Sequence, residues 1–202
     1  ASVLAKNASN EQCQSVLPAV ASGESILTWA FTEQDPRMLP QSVQAQAVAD
    51  GDDFVLNGTK LFVDNFSVAD QCLVVCRTAA ASEANEGLSL FLMDCDSPGV
   101  SHRDLVTLAK DKHSEVTFRD VRIPRTRLIG DLNEGAPIAE HLIELATALL
   151  CSQMLGATRK DMEMAVEWSK YRKAFGQPIG AFQSLQHMCA DMVVWVDGGD
   201  LL

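Results

Sequence analysis

The segment YRKAFGQPIGAFQ, residues 171–183, joins two stretches of helical pattern. The Gly-Gln-Pro-Ile-Gly run in its middle is enough to end one helix and turn the chain before the next. The turn alone does not require Arg172, Phe175 and Gln183 at these offsets, so we expect these three side chains to hold something there. The alternative is a plain helix C-terminus, at which cationic Arg172 and Lys173 oppose the helix dipole.

Two helices are predicted around this turn, within residues 133–202. Asn133 is a candidate cap, Pro137 lies near the first helical position, and apolar residues then recur at helical spacing to about residue 170. The recurring positions are Ile138, Leu142, Leu145 and Leu149. Because an antiparallel helix pair cannot close a core alone, we expect an incomplete helical bundle and a chain that is a fragment of a longer protein.

Residues 26–132 are predicted to form a β-domain, because short apolar runs alternate with turn residues. The runs QCLVVCR and LSLFLM have strand length, and EVTF alternates so that Val116 and Phe118 share one face. Asn57-Gly58 between two apolar runs predicts a hairpin, since both central positions of a type I′ turn need positive φ. Residues 1–25 are interpreted as the end of a helical domain. The predicted fold class is therefore α+β, with a central β-barrel or sandwich flanked by helical segments.

Composition narrows the functional classes. The chain has 202 residues and a net charge of −11, which argues against nucleic acid or an anionic membrane surface as a partner. Six scattered cysteines without a CxxC pair predict reduced, mostly buried thiols, and the four histidines show no metal-ligand spacing. No apolar run is expected to be long enough to span a membrane. We therefore expect a cytoplasmic protein without a metal site.

Four segments together resemble the acyl-CoA dehydrogenase family. In chain order they are TWAFTEQDPR, LNGTKLFVDNFSVADQCLVVCRT, FRDVRIPRTRLIG and YRKAFGQPIGAFQSLQHMCADM. The resemblance implies a helical, β and helical subunit that binds FAD and an acyl-CoA thioester within a homo- or hetero-oligomer. It also implies α,β-dehydrogenation of the thioester, with a hydride passing to flavin N5 and electrons passing on to an electron-transfer flavoprotein or a similar acceptor.

The resemblance assigns FAD contacts to several residues. The matching positions are Trp29, Phe31, Thr32 and Phe62 in the β-domain, and Arg172, Phe175 and Gln183 after it. In the family the last three reach across a subunit interface to the FAD of a neighbour. The first four lie close to the isoalloxazine ring, where the Thr32 hydroxyl would bond its pyrimidine side and tune its electronics. For residues 29–32 the alternative is a buried strand that ends in a turn.

Asp64 departs from the family pattern, in which Thr or Ser bonds flavin N5 at this position. A carboxylate there would repel the negative charge of reduced flavin and make reduction harder. Three explanations are open: Asp64 is turned away, Asp64 is protonated, or the flavin is absent or unusual. A loop in which Asp64 and Asn65 simply form a turn is the structural alternative.

The loop EQDPRMLP also departs from the commoner family pattern Thr-Glu-Pro-x-Ala-Gly-Ser-Asp, which helps to place the thioester. Arg37 and Met38 are therefore the candidate substrate contacts. Arg37 resembles a divergent branch of the family that includes small subunits of pimeloyl-CoA dehydrogenase-like heteromeric enzymes. It would meet a substrate carboxylate or a CoA phosphate, and a solvated loop arginine is the alternative.

No residue of the chain is a convincing general base for removal of the substrate α-proton. In most family members the glutamate that does this lies beyond residue 202, and in a minority it lies at the position of Ala146. Glu144 is two residues away and would point to nearly the opposite helix face, about 200° around. Glu33, Glu140 and Glu144 are expected to be surface or turn carboxylates.

The sequence leaves three functions open. The first is an FAD-dependent acyl-CoA dehydrogenase, of which this chain is a part without the base. The second is a non-catalytic partner subunit of a heteromeric dehydrogenase, which completes a neighbour's FAD site with Arg172 while Asp64 spoils its own. The third is a β-barrel interaction module without flavin.

Overall fold

The computed structural model describes residues 1–35, 37, 39–79 and 87–201. Within them, two short helices precede eight strands, and a long helix, a small hairpin and a last helix follow. The helices are α1 Ser2–Asn7, α2 Asn10–Ser22, α3 Ala136–Tyr171 and α4 Gln183–Asp200. The strands are β1 Leu27–Ala30, β2 Gln46–Asp50, β3 Asp53–Asp64, β4 Gln71–Arg77, β5 Leu88–Asp94, β6 Val100–Leu105, β7 His113–Pro124, β8 Leu128–Ile129, β9 Lys173–Ala174 and β10 Gln177–Pro178.

The first eight strands form one mixed sheet in the order β6-β7-β3-β2-β4-β5-β8, with β1 paired to β4. Most neighbours are antiparallel, whereas β1 and β2 each run parallel to β4. Side chains from six of these strands meet in an inner core cluster, as they do inside a barrel or a sandwich. This arrangement confirms the predicted α+β fold class.

The central strands β4 and β5 are buried on both faces, which explains their continuous apolar sequence. Along β4, Val74 joins the inner cluster, and Val75 joins an outer cluster that also contains residues of α1, α2 and the start of α3. The predicted strands QCLVVCR and LSLFLM are thus confirmed as β4 and β5. Val116 and Phe118 are both buried on β7 and share the inner cluster, as their alternation predicts.

The hairpin predicted at Asn57-Gly58 is wrong. Strand β3 continues through both residues and pairs with β7, with a shift of register at this point. The hairpin lies instead between β2 and β3, at Gly51-Asp52. Gly58 is required for another reason: its φ is +150°, and a Cβ there would lie 2.5 Å from the Cβ of Ala45. The asparagine–glycine signal therefore marks a bulge that is packed against another segment.

Gly58→Ala is expected to lower the free energy of unfolding by about 1–3 kcal/mol, because the added methyl group overlaps Ala45. Gly156→Ala is the matched control. No heavy atom lies within 4 Å of a Cβ at Gly156, inside α3, and this change should raise stability by about 0.5–1 kcal/mol. Urea denaturation measures both. Equal stabilities for Gly58→Ala and the wild type would show that the Ala45 segment moves aside without cost.

Asn133 does not cap α3, which begins three residues later, at Ala136. Its backbone has a φ of +67°, and its side-chain oxygen accepts a hydrogen bond from the Thr78 hydroxyl at 2.7 Å. Its N–H donates to the Ser89 hydroxyl at 2.9 Å. Asn133 therefore ties the chain to Thr78 and to the start of β5 before the helix begins.

The described chain forms two compact units, Ala1–Ile143 and Glu144–Leu202. The first unit contains α1, α2, the sheet and the beginning of α3. The second contains the rest of α3, the small hairpin and α4, with Val196 buried inside it. The domain boundaries predicted at residues 25 and 132 mark changes of secondary structure, whereas the compact units divide within α3. As domain boundaries they stay predictions.

Helix α3 is longer and more apolar than we expected of any segment of this chain when we predicted that no run could span a membrane. By length and apolar composition alone, this helix could cross one. The prediction that no run is long enough is therefore wrong. One such helix is weak evidence of a membrane span, since the core helix of a soluble bundle passes the same test.

The cysteines differ in burial. All six are free thiols, but only Cys72 and Cys76 are fully buried, and Cys151 is exposed. The expectation of mostly buried thiols is therefore wrong. Burial raises the pKa of the Cys76 thiol to about 12, which keeps it neutral and unreactive. Among the described residues, no group of three His, Cys, Asp or Glu side chains could hold a metal ion.

Candidate functional site

Three predicted flavin contacts lie at the end of β1 and directly after it: Trp29 is in the strand, and Phe31 and Thr32 follow it. The Leu61 N–H donates to the Thr32 carbonyl oxygen at 2.8 Å and joins this segment to β3. Trp29 is half-buried, and its ring stacks on buried Phe31 with the ring centroids 5.9 Å apart. The half-buried Thr32 hydroxyl has no hydrogen-bond partner among the described residues, so a ligand could use it.

Phe62 is held in an unusual conformation on β3. Its side chain is 56% exposed and its backbone φ is +54°. The register of β3 against β7 shifts between Lys60 and Val63, and this irregularity contains Phe62. A bulky residue with positive φ is rare, and strained positions of this kind cluster at functional sites. The structure therefore presents the Phe62 ring on the surface at a conformational cost.

Asp64 is paired with His113, a residue that the sequence analysis missed. Asp64 Oδ1 lies 2.9 Å from His113 Nδ1, and Asp111 Oδ2 lies 3.0 Å from His113 Nε2. The Phe62 ring meets the imidazole edge-on, with centroids 6.2 Å apart. The Thr28 hydroxyl donates to the Asp64 carbonyl oxygen and holds its backbone. The Asp64 carboxylate is thus directed toward β7 and has a basic neighbour.

His113 could be found only through strand register. It stands directly opposite Asp64 in the β3–β7 pairing, a relation that the spacing of histidines along the sequence does not contain. The second neighbour of His113, Asp111, accepts a hydrogen bond from the Thr107 hydroxyl. This hydrogen bond, and then the nearby His113, lower the pKa of Asp111 below its ordinary value.

Glu33, which we predicted to be a surface or turn carboxylate, is buried. Its Oε1 lies 2.7 Å from the Nζ of Lys60, which is fully buried and also donates to the Phe31 carbonyl oxygen at 3.0 Å. The other donors to the Glu33 carboxylate are the N–H groups of Gln44 at 2.8 Å and Ala45 at 3.0 Å. Desolvation by burial lowers the pKa of Lys60. This pair fastens the Phe31–Thr32 segment to β3 from inside the sheet.

Arg37, the predicted substrate contact, is already engaged. Its Nε donates to both carboxylate oxygens of Asp35, at 2.9 and 3.0 Å. These hydrogen bonds hold the pKa of Asp35 well below its ordinary value. Arg37 borders a surface cleft of about 890 Å³ together with Leu61 and Glu115. The pairing favours a loop arginine, and Met38 lies outside the described residues.

In the second unit, the turn between α3 and α4 is a small β-hairpin. Strands β9 and β10 pair antiparallel, with Ala174 opposite Gln177. The two residues between them, Phe175 and Gly176, have φ values of +52° and +82°, the signs that a type I′ turn requires. The Phe175 side chain is 96% exposed and meets the Phe182 ring edge-on at 6.1 Å. An aromatic residue thus occupies a strained, exposed turn position.

Arg172 and Gln183 flank this hairpin with exposed side chains. The Ile179 N–H donates to the Arg172 carbonyl oxygen at 2.8 Å, and Gln183 is the first residue of α4. Neither side chain has a hydrogen bond or ion pair among the residues that the structure describes. The hairpin therefore groups a guanidinium, a ring and an amide that are all available to a partner.

Glu140 and Glu144 of α3 are surface carboxylates, as predicted. Both are exposed, and Ala146 is half-buried. The assignment of the general base to a position outside residues 1–202 stays a prediction.

Two family models match the chain: "Acyl-CoA dehydrogenase, middle domain" over residues 28–121, and "Acyl-CoA dehydrogenase, C-terminal domain" over residues 133–202. The human mitochondrial short-chain specific acyl-CoA dehydrogenase is 30% identical over 200 residues, which are 98% of this chain and 48% of that protein.

Solved structures agree in fold. A glutaryl-coenzyme A dehydrogenase in complex with glutaryl-CoA has a TM-score of 0.94 and 25% identity, over 98% of this chain and 51% of that one. A glutaryl-CoA dehydrogenase from Mycobacterium smegmatis in complex with FADH2 has a TM-score of 0.87 and 28% identity, over 98% and 50% of the two chains. The chain spans about half the length of the relatives that it matches.

Proposed function

This chain belongs to the acyl-CoA dehydrogenase family, and we propose that it provides the flavin-facing β unit and adjoining helices of an FAD-dependent acyl-CoA dehydrogenase. The observation that carries the proposal is the exposure of two aromatic rings, Phe62 and Phe175, each at positive φ. Both lie at positions where the family resemblance expects contact with FAD. A ligand that covers these rings would account for their costly placement.

The residues of the first unit fit one face of a flavin. Phe62 would pack against the isoalloxazine ring, with half-buried Trp29 and the Phe31 backbone beside it. The Thr32 hydroxyl, which has no partner among the described residues, would bond the polar edge of the ring system. When bound, FAD supplies the hydride acceptor for dehydrogenation of the thioester. The buried Lys60–Glu33 pair would keep this surface in place.

The residues of the second unit would serve the FAD of a neighbouring subunit. The Arg172 guanidinium is a rigid fork that suits a pyrophosphate, and it has no competing ion pair among the described residues. Phe175 would pack beside the cofactor, and the Gln183 amide would bond its polar groups. Such sharing implies an oligomer, either of this chain or with a related one.

The substrate would be an acyl-CoA thioester, and the electron acceptor an electron-transfer flavoprotein. Removal of the α-proton needs a base. We propose that this base lies outside residues 1–202, since Ala146 offers no acidic group. Arg37 would reach a substrate carboxylate or phosphate only by leaving Asp35.

A non-catalytic partner subunit is the second candidate function, and Asp64 is the observation that favours it. The carboxylate is exposed two residues from Phe62, and an unbalanced negative charge there would oppose flavin reduction. Such a subunit would still complete a neighbour's site through Arg172.

The visible absorption spectrum of the purified full-length protein, taken with its intact mass, tests the proposal. We expect a flavin spectrum at about one FAD per chain. Asp64→Thr, which restores the family's hydroxyl, is the matched variant. Colourless wild-type protein with flavin in Asp64→Thr would favour the partner subunit. Colourless protein in both cases would contradict the FAD proposal itself.

A further inference from the structure

We propose that His113 compensates the charge of Asp64, and that this pair allows the chain to keep a carboxylate beside its flavin. The inference rests on the proposed function, which places the cofactor against Phe62. His113 is a positioning residue in this proposal, because it acts through Asp64.

The strand geometry brings the three residues to one surface. Phe62 and Asp64 are both exposed, and Val63 between them is buried in the inner core. His113 contacts both exposed residues: its ring meets Phe62 edge-on, and its Nδ1 lies 2.9 Å from Asp64 Oδ1. Any ring system that covers Phe62 therefore lies close to a carboxylate and an imidazole that face each other.

Strand pairing fixes the backbone of His113 from both sides, since the residue lies opposite Asp64 on β3 and opposite Leu105 on β6. Its Nε2 is held by Asp111 at 3.0 Å. Its Nδ1 is buried and makes no hydrogen bond with any group that the structure describes, although Asp64 Oδ1 lies 2.9 Å away. The cluster thus has a ring nitrogen whose hydrogen-bonding capacity is unused.

Among the described residues, two carboxylates lie within 3.0 Å of the His113 ring nitrogens. Asp64 faces His113 from β3 and Asp111 from its own loop, while the carboxylate of β6 residue Asp104 accepts a hydrogen bond from the Ser114 hydroxyl at 2.8 Å. With a cationic imidazole, Asp64, Asp111 and His113 together carry a charge of −1 instead of −2. A carboxylate beside a flavin opposes the negative charge that the flavin gains on reduction, and a cationic imidazole would offset that effect.

Removal of the imidazole should therefore act on the flavin through Asp64. With His113→Gln, the Asp64 charge loses its nearest counter-charge, and reduction of the bound flavin becomes harder. We expect the ratio of reduced to oxidised flavin at a fixed potential to fall about tenfold, which is about 30 mV for a two-electron couple. In an Asp64→Asn background the same change should have little effect, because the charge to be balanced is gone.

The experiment is a double-mutant cycle on the full-length protein, with FAD affinity and flavin midpoint potential as readouts at one pH. The four proteins are the wild type, His113→Gln, Asp64→Asn and the double variant. His102→Gln is the matched control, since His102 lies on β6 against the Phe66 ring, with centroids 5.4 Å apart. It should leave the potential unchanged.

Each outcome decides the matter. A shift with His113→Gln that vanishes in the Asp64→Asn background supports the proposal. No shift, or an equal shift in both backgrounds, overturns it, because His113 would then be neutral or merely structural. If the wild type binds no FAD but Asp64→Thr does, compensation fails while the family function stands. If neither protein binds FAD, the proposed function fails and this inference fails with it.

Discussion

Glu33→Ala is expected to lower the free energy of unfolding by about 3–5 kcal/mol, the largest stability loss that we predict for a single side chain. Among the described residues, the substitution leaves the fully buried Lys60 ammonium with the Phe31 carbonyl oxygen as its one remaining hydrogen-bond partner. It also removes the acceptor of the Gln44 and Ala45 N–H groups. An unpaired buried charge and two unsatisfied donors are each costly, because water cannot replace the lost partner.

Urea denaturation of a small set of variants tests this expectation. Lys60→Met should also destabilise the chain, and the double variant Lys60→Met with Glu33→Gln should recover part of the loss, since a neutral amide can still accept from the backbone. Glu167→Ala is the matched control. It removes a carboxylate from an exposed pair with Lys170 and should change stability by no more than about 0.5 kcal/mol. A loss of less than about 1 kcal/mol in Glu33→Ala would show that the pair is not a structural support.

Arg172→Ala is expected to weaken FAD binding by about 10- to 100-fold in the assembled full-length protein. The exposed guanidinium has no ion pair among the described residues, so its loss leaves the fold intact and removes charge-assisted hydrogen bonds to the cofactor. Such bonds contribute about 1.5–3 kcal/mol. Arg172→Lys should recover only part of the affinity, because an ammonium group lacks the planar fork.

The neighbouring Lys173→Ala is the control for net charge, because it removes one exposed positive charge from β9 beside the same hairpin. Flavin retained after gel filtration and a fluorescence titration with FAD would give the affinities. If Arg172→Ala and Lys173→Ala weaken FAD binding equally, the effect is one of overall charge. If neither changes it, Arg172 does not contact the cofactor.

The secondary structure was largely predictable because its signals are local. Each signal is carried by residues that are close together in the chain. Examples are the apolar runs of β4 and β5, the alternation of Val116 and Phe118 on β7, and the helical spacing after residue 136. Arg172, Phe175 and Gln183 could be selected for the same reason, since the turn that presents them is a single short segment. The type I′ hairpin itself was missed, because phenylalanine rarely takes positive φ.

What the sequence determined by itself was therefore the α+β class, the position of most strands and helices, and the family that the four segments resemble. Only the tertiary structure decided which charges meet. Lys60 reaches Glu33 because the segment after β1 lies against β3, and Asp64 reaches His113 because the register of β3 and β7 sets them opposite each other. The bulge at Gly58 likewise depends on Ala45. These contacts join residues far apart in the chain, and their energies depend on burial and register, which no local pattern encodes.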